Sequence, residues 1–298
     1  MLPPHHSLFY SMGNLMGMCF HLGESNKETI FLHLFLLCAE GFTSLLAKAK
    51  NDGKIHGASI CERAPKVSNL LFADDSLLFC RATQNEVEVI SEVLQTYANA
   101  YDQCINLEKS SVFFSSNISV SQKHDILRVL GVQEVHRFDS YLGLPTLVGR
   151  SKYHTFLYLK DRIWKKLQGW KGKLLSRASK EILIKAVAQS IPTYTMSVFE
   201  LPLKLCDELD VMCAKFWWGQ VGDERKIHWQ RWEKLTRSKK DGGMCFRDLR
   251  AFNLAMLAKQ GWRLLHDDSS LVYQCLKARY FPRTHFFDAK KSPNCSFV

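Results

Sequence analysis

The chain has 298 residues, 46% hydrophobic and 23% charged, with ordinary glycine and proline content, which supports a folded core and excludes collagen-like, low-complexity and predominantly disordered chains. One or two domains are expected at this length. The formal net charge of +11 is uneven: residues 1–150 carry 12 Lys and Arg against 15 Asp and Glu, and residues 151–298 carry 28 against 14, so the second half is a candidate surface for a polyanion, nucleic acid first and an anionic membrane second.

Residues 1–29 show neither a two-residue nor a 3.6-residue apolar period and specify little structure. Leu34, Leu37, Cys38, Phe42, Leu45 and Leu46 then share one helical face, and the polar run Lys48–Gly53 ends it. The apolar start of that helix, Ile30–Ala39, is about half of the roughly 20 residues a membrane helix requires, and Glu40 closes it. The first fifty residues hold three Lys and no Arg, unlike a basic amphipathic presequence. A soluble intracellular protein without a membrane partner is expected. Ten cysteines are spread along the chain with no Cys-x-x-Cys pair; they read as reduced thiols, with no zinc site.

The string NLLFADDSLLFC, Asn69–Cys80, sets Asp74 and Asp75 between two apolar arms, the pattern of a buried β-hairpin with the acids at its tip. Carboxylates on a rigid turn suit a hard cation such as Mg2+, although Asp is also simply a good turn residue. Thr83 and Glu86 have the spacing of a capping box ahead of Val87, Ile90, Leu94, Tyr97 and Tyr101 at helical intervals. Short strands are expected at Ile105–Leu107 and Val112–Phe114, then a helix over Ser121–Leu130 stopped by Gly131. Beyond Pro145 the pattern is helical, over Tyr153–Trp170, Ser179–Ser190, Pro202–Trp218, Leu249–His266 and Leu271–Tyr280. Charge and periodicity both change near Gly149. The expected organisation is a poorly specified segment 1–33, a domain of mixed helix and strand over 34–148, and a basic, mainly helical region over 149–298.

Phe72-Ala73-Asp74-Asp75 between its apolar arms resembles the catalytic palm motif of reverse transcriptases from plant non-LTR (LINE-type) retrotransposons. The strings LFLLCAEGFTSLL (Leu34–Leu46), INLEKSSVFFS (Ile105–Ser115) and YLGLPT (Tyr141–Thr146) stand around it in the family's order, and Arg162–Val187 and Lys215–Gly219 resemble the thumb and downstream region. The resemblance covers about residues 34–298. It implies an α+β fold, in which the remnant of a polymerase palm (a short antiparallel sheet with packed helices) is followed by a helical thumb and connection region. It also implies RNA-directed DNA polymerase chemistry, with Mg2+ held by Asp74 and Asp75. Lys109 matches the family's basic residue that protonates the pyrophosphate leaving group; a solvated lysine at a strand edge is the plain alternative.

The same family asks for a third Asp from an earlier strand and a Gly-Asp-Pro type loop ahead of the Leu34 helix. Residues 1–51 hold no Asp, only Glu24, Glu28 and Glu40, and Glu28–His33 stand where the loop belongs. The expectation is an N-terminally truncated fragment, without fingers and inactive alone, because two-metal phosphoryl transfer needs a fixed pair of cations. The alternatives are a non-enzymatic nucleic-acid-binding remnant and a translated relic without selected function.

Six cations lie between Arg162 and Arg177, namely Arg162, Lys165, Lys166, Lys171, Lys173 and Arg177, interleaved with Trp164 and Trp170. Such cations suit phosphates, and an exposed indole such as that of Trp170 suits a base, so RNA and DNA are the expected partners. The plain alternative buries Ile163, Leu167 and Trp170 and leaves the charges solvated. Trp217, Trp218, Trp229 and Trp232 form a second concentration, read as core or interface packing before a base-stacking platform.

Overall fold

The computed structural model describes residues 30–73, 75–101, 105–136, 140–146, 148–149, 151–171, 174–219 and 226–289 and the strand 15–22, with backbone alone for 15–22, 30–35, 101 and 171. The class is α+β. Two compact units form, one from residues 1–139 with 269–290 and one from 140–268 with 291–298. The helix Leu271–Tyr280 belongs to the first unit. No described helix is long and apolar enough to cross a membrane.

The first unit is built on a five-stranded sheet packed against helices. Its strands are β1 (Leu15–Leu22), β2 (Asn69–Phe72), β3 (Asp75–Arg81), β4 (Ile105–Phe114) and β5 (Gln133–Glu134), in the order β2-β3-β1-β4-β5. All pairs are antiparallel except β4 with β5. The central strand comes from the stretch that showed no period. LMGMCFHL is nearly all apolar, so no regular polar residue marks a two-residue alternation.

The helices α1 (Ile30–Asn51), α2 (Gln84–Tyr101) and α3 (Val120–Leu130) bury Phe42, Leu46, Val87, Ile90, Leu94, Tyr97, Ile126 and Leu130 against Leu78, Cys80, Val112 and Phe114 of the sheet. The rings of Phe42 and Tyr97 meet at 4.8 Å. Leu37, expected on the core face of α1, is 65% exposed; Cys38 is partly buried against the core, and full burial begins at Phe42. The capping box is found on α3, where Ser119 and Gln122 exchange backbone bonds, and not at Thr83, whose N–H donates to Arg81 O instead. The last helix of this unit is α11 (Leu271–Tyr280), opened by Ser270.

The second unit is helical apart from a two-stranded ribbon, β6 (Ser140–Tyr141) with β7 (Leu144–Pro145). Its helices are α4 (Lys152–Thr155), α5 (Leu157–Lys171), α6 (Arg177–Leu183), α7 (Thr193–Met196), α8 (Leu203–Trp218), α9 (Trp232–Leu235) and α10 (Leu249–His266), with a π turn at Ile184–Ala188. Leu159, Ile163 and Leu167 of α5 pack against Leu205, Leu209, Cys213 and Phe216 of α8, joined by Ile184, Met196, Phe246 and Leu249. Asn253 of α10 is 3% exposed and satisfied on both ends of its amide: Nδ2 donates to Met196 O and Phe199 O, and Oδ1 accepts from Leu201 N. This locks α10 to the irregular 196–201 segment without leaving a buried polar group unpaired.

Candidate functional site

Register fixes the hairpin. Phe72 pairs with Asp75, Leu71 with Ser76 and Leu70 with Leu77, which leaves Ala73 and Asp74 as a two-residue loop. Such loops take positive φ at their first residue so that the turn matches the twist of the strands. Ala73 does so, with φ 50, a conformation that costs a residue with a Cβ about 1–2 kcal/mol. Asp74 lies outside the described residues.

Alternation then decides the faces. Ser76, Leu78 and Cys80 are at most 1% exposed on the helix side, so Asp75 and Leu77 belong to the opposite face, as do Leu70 and Phe72 of β2, which are exposed. On β1, His21 pairs with Asp75. LMGMCFHL, the strand paired with β3, contains no Asp or Glu. Among the described residues no three His, Cys, Asp or Glu side chains gather where a metal ion could be held.

The two short strands expected after Tyr101 are one strand, β4, carrying a large bulge. Ser111 pairs with Cys19 and Asn106 with His21, so residues 107–110 stand opposite Phe20 alone. Lys109 N donates to Asn106 Oδ1 at 3.1 Å and Ser110 Oγ to Asn106 O at 2.7 Å, closing the bulge with Lys109 exposed on it. Asn106 and Asp75 both pair with His21, which places them about 10 Å apart, two strand spacings. The bulge bearing Lys109 and the hairpin tip therefore share one end of the sheet.

On α5 the expected cations and indoles separate. Ile163 and Leu167 are 1% and 2% exposed, while Arg162, Lys165 and Lys166 are exposed and form one strip at i, i+3 and i+4. Trp170, three residues past Leu167, falls on the inner side: it is half-buried, with its ring 5.8 Å from that of Phe216. The exposed ring is Trp164, at 48%, two residues from Arg162 and so off the strip. Lys171 is described by its backbone alone, and Lys173 lies outside the described residues. Arg177 has another task. Its Nη1 donates to Trp217 O at 3.0 Å, and its guanidinium lies 5.1 and 5.2 Å from the rings of Trp217 and Trp218, so it satisfies a carbonyl at the C-terminus of α8.

Of the second tryptophan group, Trp217 is 6% exposed and packs edge-on against Phe246, and Trp232 stacks on the same ring at 4.9 Å. Trp229 departs from the expected packing, being 75% exposed. Two further acids take partners that the sequence does not announce. Glu86 on α2 is 5% exposed and accepts from Arg81 N and His56 N, both at 3.0 Å, with His56 Nδ1 2.9 Å from its other oxygen. Asp210 on α8 is pushed up to about 7 by burial, aided by Asp248 and Asp207 and opposed by Trp232 and Arg250.

No family model matches the chain. Over 110 residues, 37% of its length, the chain is 40% identical to the uncharacterized mitochondrial protein AtMg00310 of Arabidopsis thaliana and covers 71% of that protein. The chain belongs to the same family as AtMg00310. Over 137 residues, 46% of its length, it is 35% identical to At1g65750 of the same plant, named as a ribonuclease H protein, and spans 22% of that longer chain. A third relative, the uncharacterized mitochondrial protein AtMg01250, is 36% identical over 54 residues, 18% of this chain and 44% of its own length.

Proposed function

We propose that the chain is a fragment of an RNA-directed DNA polymerase of a LINE-type retroelement that binds nucleic acid and does not polymerise by itself. The observation that carries this reading is the hairpin: Asp75 opens β3 where it pairs antiparallel with β2, at the same end of the sheet as a strand bulge bearing Lys109. A lysine at that end suits a phosphate, and a carboxylate there suits one only through a bridging cation. A relative named for ribonuclease H is in keeping with machinery that handles RNA–DNA hybrids. The limitation is the donor set. With His21 opposite Asp75 and no acid on β1, Asp74 and Asp75 would hold at most one Mg2+ loosely. Purified chain given a primed RNA template, Mg2+ and deoxynucleotides is expected to incorporate nothing above a blank without protein. Incorporation that disappears in Asp75→Ala would overturn the inactivity and mean that another carboxylate completes the site.

Binding is the part of this function the chain would retain. The strip Arg162, Lys165 and Lys166 is exposed on a helix whose other side is core, so its charge can be spent on phosphates without loss of packing. If these three reach phosphates, log affinity should fall with log salt with a slope on the order of −2 to −3 for duplex, and Lys165→Gln with Lys166→Gln should flatten it by about 2. Trp170→Ala should act through stability, since its ring lies against Phe216. A salt slope unchanged by the double substitution would remove α5 from the interface.

A further inference from the structure

Residues 226–240, KIHWQRWEKLTRSKK, hold a second concentration of charge: Lys226, Arg231, Lys234, Arg237, Lys239 and Lys240 against the single acid Glu233. All six cations are exposed. Within the stretch Trp229 is 75% and Ile227 71% exposed. One exposed apolar residue is ordinary on a protein surface; here the placement is fixed and the surroundings are charged. His228 stacks on Trp218 at 6.0 Å and 26°, Trp232 stacks on Phe246 at 4.9 Å and 10°, and Arg231 O accepts from Lys234 N to open α9. The chain is thus pinned on both sides of Trp229, whose indole stays outside while three neighbouring tryptophans find aromatic partners.

A duplex offers phosphates but keeps its base faces stacked, and an acidic protein offers charge but no base. A single strand offers phosphates to the cations and a free base face to the ring. We propose that segment 226–240 binds single-stranded RNA or DNA, with Trp229 stacked on a base and Arg231, Lys234 and Arg237 on flanking phosphates. Lys239 lies 3.7 Å from Glu181 and has that partner. Anionic membranes also draw tryptophan and lysine, but insertion takes a whole apolar face, and here Ile227 and Trp229 stand out while Leu235 is 4% exposed and buried in the unit. The site lies off α5 and does not depend on the polymerase reading.

The test uses the full chain carrying Lys165→Gln and Lys166→Gln, so that the α5 strip is silent, and follows the fluorescence anisotropy of labelled oligo-dT and oligo-U of about 20 nucleotides. Trp229→Ala is expected to weaken binding about tenfold, within the 5- to 150-fold that stacking one base is worth, with the salt slope unchanged. Trp229→Tyr should stay within about threefold, since a phenol ring still stacks. Arg231→Gln, Lys234→Gln and Arg237→Gln together should flatten the slope by about 2, at roughly 0.7 per cation on a single strand. Unlabelled hairpin duplex should compete several-fold less well than oligo-dT. Trp229→Ala should melt as the parent does; if it melts lower, the comparison of Trp229→Tyr with the triple variant decides. Parent-like affinity in both Trp229→Ala and the triple variant, equal competition by duplex, or Trp229-dependent binding to phosphatidylserine vesicles without binding to oligonucleotides would each overturn the proposal.

Discussion

Replacing Asp210 by Asn is expected to stabilise the second unit at pH 8 and to change little at pH 4. Asp210 lies on α8 with its Oδ1 buried and without a hydrogen-bond partner, and the Trp232 indole N–H, which opposes the upward shift, makes no hydrogen bond of normal geometry. Burial therefore dominates and holds the folded carboxyl near 7, against about 3.9 in the unfolded chain. The sign follows from proton counts. Below pH 4 both states hold the proton and the residue is neutral in effect. Between pH 4 and 7 the unfolded chain gives up its proton while the folded chain keeps it, so stability falls as pH rises, and above 7 the whole penalty is present. Three pH units correspond to about 4 kcal/mol, and partial access to water makes roughly 2–4 kcal/mol the expected gain of Asn at pH 8. Urea titrations of both proteins at pH 4, 6 and 8 check the prediction, and stability curves that run parallel across that range would sink it.

The elements that were legible in the sequence are those whose ends are written locally. The limits of α10 and α11 follow from Asp248 and Ser270, whose side chains accept from the first-turn N–H groups, and the end of α8 follows from Gly219 at φ 76. The long helix expected over Tyr153–Trp170 is interrupted at Phe156, and the one over Ser179–Ser190 starts at Arg177 and widens to a π turn at Ile184–Ala188. A 3.6-residue period cannot register either change. At the site, the adjacency of the acids and the apolar arms around them contained the hairpin. The neighbour of Asp75 was not legible, because which strand pairs with β3 is a long-range choice made by β1, 54 residues or more ahead in sequence at each pair from His21↔Asp75 onward. The inward turn of Trp170 was legible: it sits seven residues past Ile163 and three past Leu167, on the same helical face. The exposure of Trp229 was not, since it depends on Phe246 packing Trp217 and Trp232 from another part of the chain.

Glu86→Ala is expected to destabilise the first unit by about 3 kcal/mol, and Glu86→Gln by roughly half of that. Glu86 has the position of a capping-box acid, in the first turn of α2, where the helix N-terminus favours a carboxylate. Its bonds go elsewhere. One oxygen accepts from the backbone N–H groups of Arg81 and His56, and the other lies 2.9 Å from His56 Nδ1. These contacts tie the end of β3 to the loop between α1 and β2, which returns the chain to the hairpin. Alanine leaves two backbone donors without an acceptor at a position 5% exposed, and an orphaned buried donor costs on the order of 1–3 kcal/mol. Glutamine keeps an acceptor oxygen but loses the charge and part of the three-way geometry. The consequence reaches the candidate site, because β3 runs from Asp75 at the hairpin tip to Arg81 at this anchor. Hydrogen exchange should show the Arg81 and His56 amides exchanging faster in Glu86→Ala, with the strand protected less along its length. An alanine variant within about 0.5 kcal/mol of the parent, with those two amides still protected, would mean that the loop and the strand are held together by packing alone.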